Sequence, residues 1–169
     1  MRIFYSTLFL FSFFNVFGQV LAQSKANKDT RNFRYEIEAQ GEGVEGTYLV
    51  KVWTYSRSPK VSITQAKKNA VHGVIFQGFA GSGRIAGQPP LCSSPSAEVQ
   101  FADFFNAFFA NNGPFLKYVS ISGDGSVAAG DRLLVGGEYK VGVVVSVRKD
   151  LLKADLVEAG IVKTINSGF

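Results

Sequence analysis

The only histidine and the only cysteine in the chain, His72 and Cys92, have the most evident capacity for chemistry. A thiol becomes a nucleophile at neutral pH when a neighbouring base takes its proton, so a Cys92–His72 pair is the first arrangement to weigh. The residues around Cys92 (Leu91-Cys92-Ser93-Ser94) carry no cysteine-hydrolase pattern, and they lie in a segment too irregular to place a thiol accurately. A zinc ion asks for three or four converging ligands. One histidine, four residues from Lys68, and one distant cysteine fall short of that, so no metal or cofactor site is expected. Paired carboxylates are the remaining possibility for acid–base work. Glu36 and Glu38 lie on the same side of an alternating segment, roughly 6–7 Å apart by strand rise, within the range for two carboxyls that cleave a glycosidic bond. Glu42, Glu45, Asp103 and Asp124 are further available acids. A small periplasmic hydrolase acting on glycans is therefore the enzymatic alternative. A solvated strand face explains the pair more simply, and no catalytic residue is assigned.

Two glycine-rich stretches have the composition of ligand-binding loops. Gly81-Ser82-Gly83-Arg84-Ile85-Ala86-Gly87 resembles a phosphate cradle in its residue types. Such a loop must follow a strand and open a helix, so that helix N–H groups face the phosphate. This one follows a helical pattern and runs into Pro89-Pro90, so it fails that test. Gly123-Asp124-Gly125-Ser126 lacks the spaced acids of a calcium loop and reads as a turn. Residues 80–95 together form a loop of a length that in compact domains tends to be functional or mobile. Ser82, Arg84, Ile85 and Gln88 are its candidate partner-binding residues.

The elements that must position these residues follow from periodicity. Phe33 to Gln40 alternates, with Tyr35, Ile37 and Ala39 on one side and Arg34, Glu36 and Glu38 on the other, as a half-buried strand does. Gly41, Gly43 and Gly46 form a turn, and Thr47 to Ser56 returns as the second strand of a hairpin. After Ser58-Pro59 the period becomes helical over about 63–77. Ser62 is the expected N-cap, Ala66, Ala70, Val71 and Val74 share a stripe with Ile63, and Gln65, Lys68, Asn69 and His72 share the opposite, polar face. A second helix is expected over about 97–110, capped by Ser96. In it Phe101, Phe104, Phe105, Phe108 and Phe109 form one stripe that core burial or a partner surface could use. Asn111-Asn112-Gly113-Pro114 stops it. Phe115 to Ser122, Leu133 to Val135 and Tyr139 to Val147 follow as extended segments, the last being the clearest strand. Asp150 is the expected cap of a short helix over 151–159, closed by Gly160. This order implies a single α+β domain: a mainly antiparallel sheet with helices packed on one face.

The first 22 residues have another purpose. Arg2 precedes an uncharged run with six phenylalanines, ending Val20-Leu21-Ala22. That is a secretory signal with cleavage expected after Ala22. Ser6, Ser12, Asn15 and Gln19 interrupt the run, so no membrane span is expected once it is removed. Removal leaves 147 of 169 residues, one domain's worth, and loss of Arg2 takes the formal net charge from +5 to +4. Lys25, Lys28 and Arg31 make residues 23–32 a basic, solvated arm leading to the domain at 33–169. Export and the lack of a recognition motif exclude nucleic acid as a partner. A lone cysteine excludes an internal disulfide.

The segments KDLLKADLVEAGIVKTINSGF (149–169) and AKKNAVHGVIFQGF (66–79) resemble a family of uncharacterised exported proteins of Bacteroidota-type bacteria. More distantly, VKVWTYS (50–56), followed by a helix carrying Ala66 and Ala70, is similar to the N-terminal domain of flagellar assembly protein T and related small surface lipoproteins. The chain lacks the lipid-attachment cysteine of the latter. Neither resemblance brings catalytic residues. Both imply a non-catalytic envelope role, for a periplasmic or secreted protein (outer-membrane association included) that binds another envelope protein or surface component.

Overall fold

A computed structural model describes residues 33–41, 43–56 and 62–163. The expected signal segment at 1–22, the expected basic arm, Glu42, the Ser58-Pro59 break and the last six residues of the tail lie outside this range, as do the side chains of Ser62 and Ile63.

The fold is α+β, as the periodicities imply. Strands β1 (Tyr35–Gly41) and β2 (Tyr48–Ser56) form the expected hairpin. The sheet order is β1-β2-β5-β3, with β5 spanning Glu138–Val147 and β3 spanning Val119–Ile121. A further short strand, β4 (Arg132–Val135), also pairs with β5, and every pairing is antiparallel. β5 is the longest strand and the centre of the sheet. Its alternation puts Val141, Val143, Val145 and Val147 on the inner face. There Val52 is registered with Val143 and Val50 with Val145, and none of these six side chains exceeds 3 % exposure. Two-residue periodicity on adjacent β-branched strands thus makes one apolar wall.

Helix α1 (Ser62–Phe76) lies on that wall through Ala66, Ala70, Val71, Val74 and Ile75, all buried. Gly73 allows the close approach to β1, because a Cβ there would lie 3.0 Å from Ile37 Cδ1 and 3.2 Å from the Tyr35 ring. The helix ends in a left-handed residue, Gly78 (φ 67°), whose N–H reaches back to the Gly73 carbonyl. The returning chain then donates Leu91 N–H to the Val74 carbonyl and Cys92 N–H to the Ile75 carbonyl. Carbonyls of the last turn, orphaned at any helix end, are thereby satisfied.

The supposed polar face of α1 is not a surface. Gln65, Asn69 and His72 are buried at 3, 2 and 4 % exposure. A second, aromatic layer covers this side of the helix: Phe76 packs edge-on against Phe105 at 4.8 Å, and His72 lies 5.8 Å from Phe109. α1 is therefore buried on both of these sides, while Thr64, Lys67 and Lys68 stay at least partly exposed.

The phenylalanine segment is two helices, α2 (Ala97–Gln100) and α3 (Ala102–Phe108), separated at Phe101. Ser96 holds the expected N-cap position of α2, with Gln100 N–H donating to its carbonyl, but its φ/ψ is helical and its side chain makes no capping bond; its Oγ meets that of Ser94 instead. Phe105, Phe108 and Phe109 belong to the core, Phe101 is half-buried, and Phe104 is 37 % exposed. The stripe is core along most of its length. Pro114–Tyr118 forms a 3-10 turn leading into β3, in place of a longer strand. The last helix, α4 (Lys149–Glu158), starts two residues earlier than the sequence suggests. Arg148 holds its cap position, and Asp150 sits inside the first turn. Leu152 and Leu156 of α4 close the core. None of the helices among the described residues is long and apolar enough to cross a membrane.

Candidate functional site

Residues 80–95 are not a featureless loop. Phe79 and Gln88 exchange backbone hydrogen bonds of 2.9 and 3.0 Å, and Ser82 and Ile85 exchange two of 3.0 Å. The result is a small hairpin, with Gly83 at φ 61° in its turn. Gly81 and Gly87 let its arms close, since a Cβ would lie 2.5 Å from the Ile85 carbonyl oxygen and 2.7 Å from that of Phe79, respectively. Ala39 N–H donates to the Ala80 carbonyl at 3.0 Å, which fastens this hairpin to the outer edge of β1.

Between this hairpin and the β1–β2 turn lies a cleft of about 330 Å³. Ile85 and Gln88 line it together with Tyr48, Phe79, Leu49 and the backbone at Gly41 and Gly43. The Tyr48 phenol donates to Gln88 Oε1 at 3.3 Å and its ring meets Phe79 edge-on at 5.0 Å, which fixes the cleft wall. Among the described residues no charged side chain lines it. The volume sits at the small end of ligand pockets, and its chemistry suits an uncharged group that carries apolar surface and an amide or hydroxyl. Of the four candidate residues, Ile85 and Gln88 meet in the cleft, whereas Ser82 and Arg84 are exposed at the hairpin turn. Sequence reasoning does not single out Tyr48 or Phe79. Tyr48 falls there within the returning strand of the hairpin, and Phe79 just past the helix expected over 63–77.

The outer face of the sheet holds the carboxylate pair. Trp53 lies across Gly142, where a Cβ would come within 3.0–3.2 Å of three ring carbons. Its Nε1–H donates to Glu38 at 2.9 Å, and Lys51 and Lys140 hold their ammonium groups 5.1 and 5.2 Å from its ring centroid. Glu36 accepts from Lys140 at 2.7 Å and from the Tyr55 phenol. Those two hydrogen bonds, the Lys140 one foremost, hold the Glu36 carboxyl below the ordinary carboxylate range. A glycosidase acid needs the opposite shift, so that its proton is available near neutral pH. The pair is built as the anionic half of a charge ladder.

His72 lies in a third place. Tyr35 Oη is 2.7 Å from Nδ1, and a Glu98 oxygen is 3.1 Å from Nε2. A carboxylate only accepts, so Nε2 carries the proton and Nδ1 accepts from the phenol. Phe33 stacks on the imidazole at 3.6 Å. Burial pushes the imidazole below its ordinary pKa, with Glu98 partly opposing, and burial pushes the Tyr35 phenol well above its own. Both ring nitrogens are thereby committed, which leaves neither to deprotonate the buried Cys92. The cluster joins β1, α1 and α2 rather than activating a nucleophile.

Comparisons with protein-family models, with curated proteins and with solved structures found no match to this chain.

Proposed function

We propose that the chain is an exported, non-catalytic accessory protein of the cell envelope that binds another envelope component through the cleft beside the 79–88 hairpin. The observation that carries the reading is the convergence of Ile85 and Gln88 with Tyr48 and Phe79 around one uncharged opening. The secretory pattern of residues 1–22 and the two resemblances support the compartment, and the basic arm at 23–32 suits an anionic envelope surface. The partner presents an uncharged segment to the cleft, since a buried charge would meet no counter-charge there.

The test is affinity capture from envelope extracts of the native host with the processed chain and with Ile85→Asp. The substitution puts a carboxylate in the cleft wall while leaving the sheet and α1 untouched. Wild type should retain a specific component that Ile85→Asp, folded by circular dichroism, loses. Equal retention by both would remove the cleft from the reading, and no specific component at all would remove the binding function.

A further inference from the structure

The far edge of the sheet carries a different surface. β4 is exposed along its whole length, with Leu133 at 44 %, Leu134 at 69 % and Val135 at 50 %, and Tyr139 beside it on β5 is 38 % exposed. Single exposed leucines are ordinary, but three consecutive large apolar residues on an edge strand are not. Native edges are normally guarded by shortness, charges, proline, bulges or a covering element, and of these β4 has its four-residue length and one charge. Here the strand's only charge is Arg132, and no described strand pairs with its outer side.

The register says what the edge offers. Gly136 and Gly137, at φ 57° and 81°, make a two-residue turn with Val135 opposite Glu138 and Leu133 opposite Lys140. Such a turn closes on a hydrogen-bonded pair, and hydrogen-bonded and non-bonded pairs then alternate. Val135 and Leu133 therefore spend their backbone groups on β5, while Arg132 and Leu134 direct theirs outward. A bilayer would leave those outward N–H and C=O groups unsatisfied in hydrocarbon and would carry Arg132 in with them. Only another strand satisfies both the backbone and the apolar side chains.

We infer that β4 is a strand-pairing edge for a second copy of this chain. The edge is complementary to itself. Antiparallel pairing about a twofold axis at Leu133 sets Arg132 opposite Leu134 of the other copy, twice. All outward groups of those two residues are then used, in four new hydrogen bonds by the antiparallel pattern. Leu133 meets its own twin, and Arg132 lies opposite Leu134 with Tyr139 beyond it; the two Arg132 side chains are diagonal neighbours on one face, a repulsion that weakens the pairing at low ionic strength. Even complete burial of the four exposed apolar side chains would remove at most roughly 800 Å² over both copies, below the ~1,200–2,000 Å² of stable complexes, so the dimer forms weakly and in proportion to concentration. This edge lies across the sheet from the cleft and stands independently of the function proposed for it.

The experiment uses the processed chain in sedimentation velocity from about 1 to 500 μM, a range chosen to span weak association. Wild type should pass from monomer towards dimer, and Leu134→Lys, folded by circular dichroism, should stay monomeric throughout. With Cys92→Ser as background, Leu133→Cys should form an intermolecular disulfide under mild oxidant, because the twofold brings its two copies together. Leu134→Cys should cross-link far less. A wild type that stays monomeric, an unchanged dimer in Leu134→Lys, or equal cross-linking at both positions would each overturn the pairing. Wild-type co-sedimentation with anionic phospholipid vesicles, lost in Leu134→Lys, would assign the edge to a bilayer instead and overturn it too.

Discussion

Replacing Phe105 with alanine separates the two uses of the aromatic stripe. Phe105 is 4 % exposed and its ring packs edge-on against Phe76 at 4.8 Å and Phe104 at 5.1 Å. Core phenylalanine-to-alanine changes cost about 3–5 kcal/mol, and a ring in contact with other rings belongs in the upper half of that range. Phe104, on the next position of the same helix, is 37 % exposed and mainly stacks on Phe108. Full burial of a phenylalanine contributes about 1.5–3 kcal/mol, so Phe104→Ala should cost only about 1–2 kcal/mol. Urea unfolding followed by circular dichroism reads the difference directly. With a slope typical of a small domain, the midpoint should fall by roughly 2 M for Phe105→Ala and by under 1 M for Phe104→Ala. Domains of this kind are stable by about 5–15 kcal/mol, so the first variant should lose from about a quarter to nearly all of that stability. Equal shifts, or a Phe105→Ala midpoint unchanged from wild type, would refute the assignment of the stripe to the core.

The His72 imidazole has its pKa lowered by burial, so below an unfolded-state value of about 6.5 the unfolded chain binds a proton that the folded chain does not. Stability should be full above about pH 7 and fall as pH drops through 6.5 towards the folded value; urea midpoints from pH 8 to 5 should show that slope, and His72→Gln should flatten it. Gly142→Val places a Cβ within 3.0–3.2 Å of three Trp53 ring carbons. It should destabilise by about 1–3 kcal/mol, as overpacking does, and shift the emission of Trp53, the only tryptophan. An unaltered spectrum would mean that the indole does not rest on β5. Protein recovered from the native host should begin at Gln23 by intact mass, and a retained Met1 would overturn both cleavage and compartment.

Strands are legible in the sequence because their signal is local. The alternation of Val141, Val143, Val145 and Val147 needs no tertiary information to place one face inside, and β5 is indeed the centre of the sheet. Helix faces are legible only in part. The stripe of Ala66, Ala70, Val71 and Val74 marks one interior, but the polar side chains of Gln65, Asn69 and His72 point to a solvated face that the fold does not have. His72 is covered by Phe33 and Phe109, which come from other segments, and hydrophobic periodicity along one helix carries no information about a layer supplied by another. Ser96 and Asp150 illustrate a related limit. Both have the side chain of an N-cap, yet Ser96, at the cap position of α2, has helical φ/ψ and makes no capping bond, and the start of α4 at Lys149 leaves Asp150 inside the first turn. The cleft is half-visible for a similar reason: glycine and proline density marks residues 80–95, while Tyr48 and Phe79 join Ile85 and Gln88 only through the Phe79–Gln88 bridge.

The cleft and the β4 edge together make a statement neither makes alone. The cleft lies beyond β1 and the pairing edge beyond β5, at opposite sides of one sheet. A twofold pairing at β4 would therefore yield the order β1-β2-β5-β4-β4-β5-β2-β1, with the two clefts at its far ends. Nothing in such an arrangement links one cleft to the other except rigid sheet, so occupation of one has no differential contact by which to favour the dimer over the monomer. Cleft affinity should then be the same for wild type and Leu134→Lys at any concentration. What the dimer changes is valence: on an extended envelope surface two weak clefts held at a fixed separation bind through effective concentration, and apparent affinity rises without a new contact. Capture on a surface bearing many copies of the partner should therefore favour wild type over Leu134→Lys, while capture of the isolated partner in solution should not. Loss of solution binding in Leu134→Lys would show that the two edges are coupled and would refute their independence.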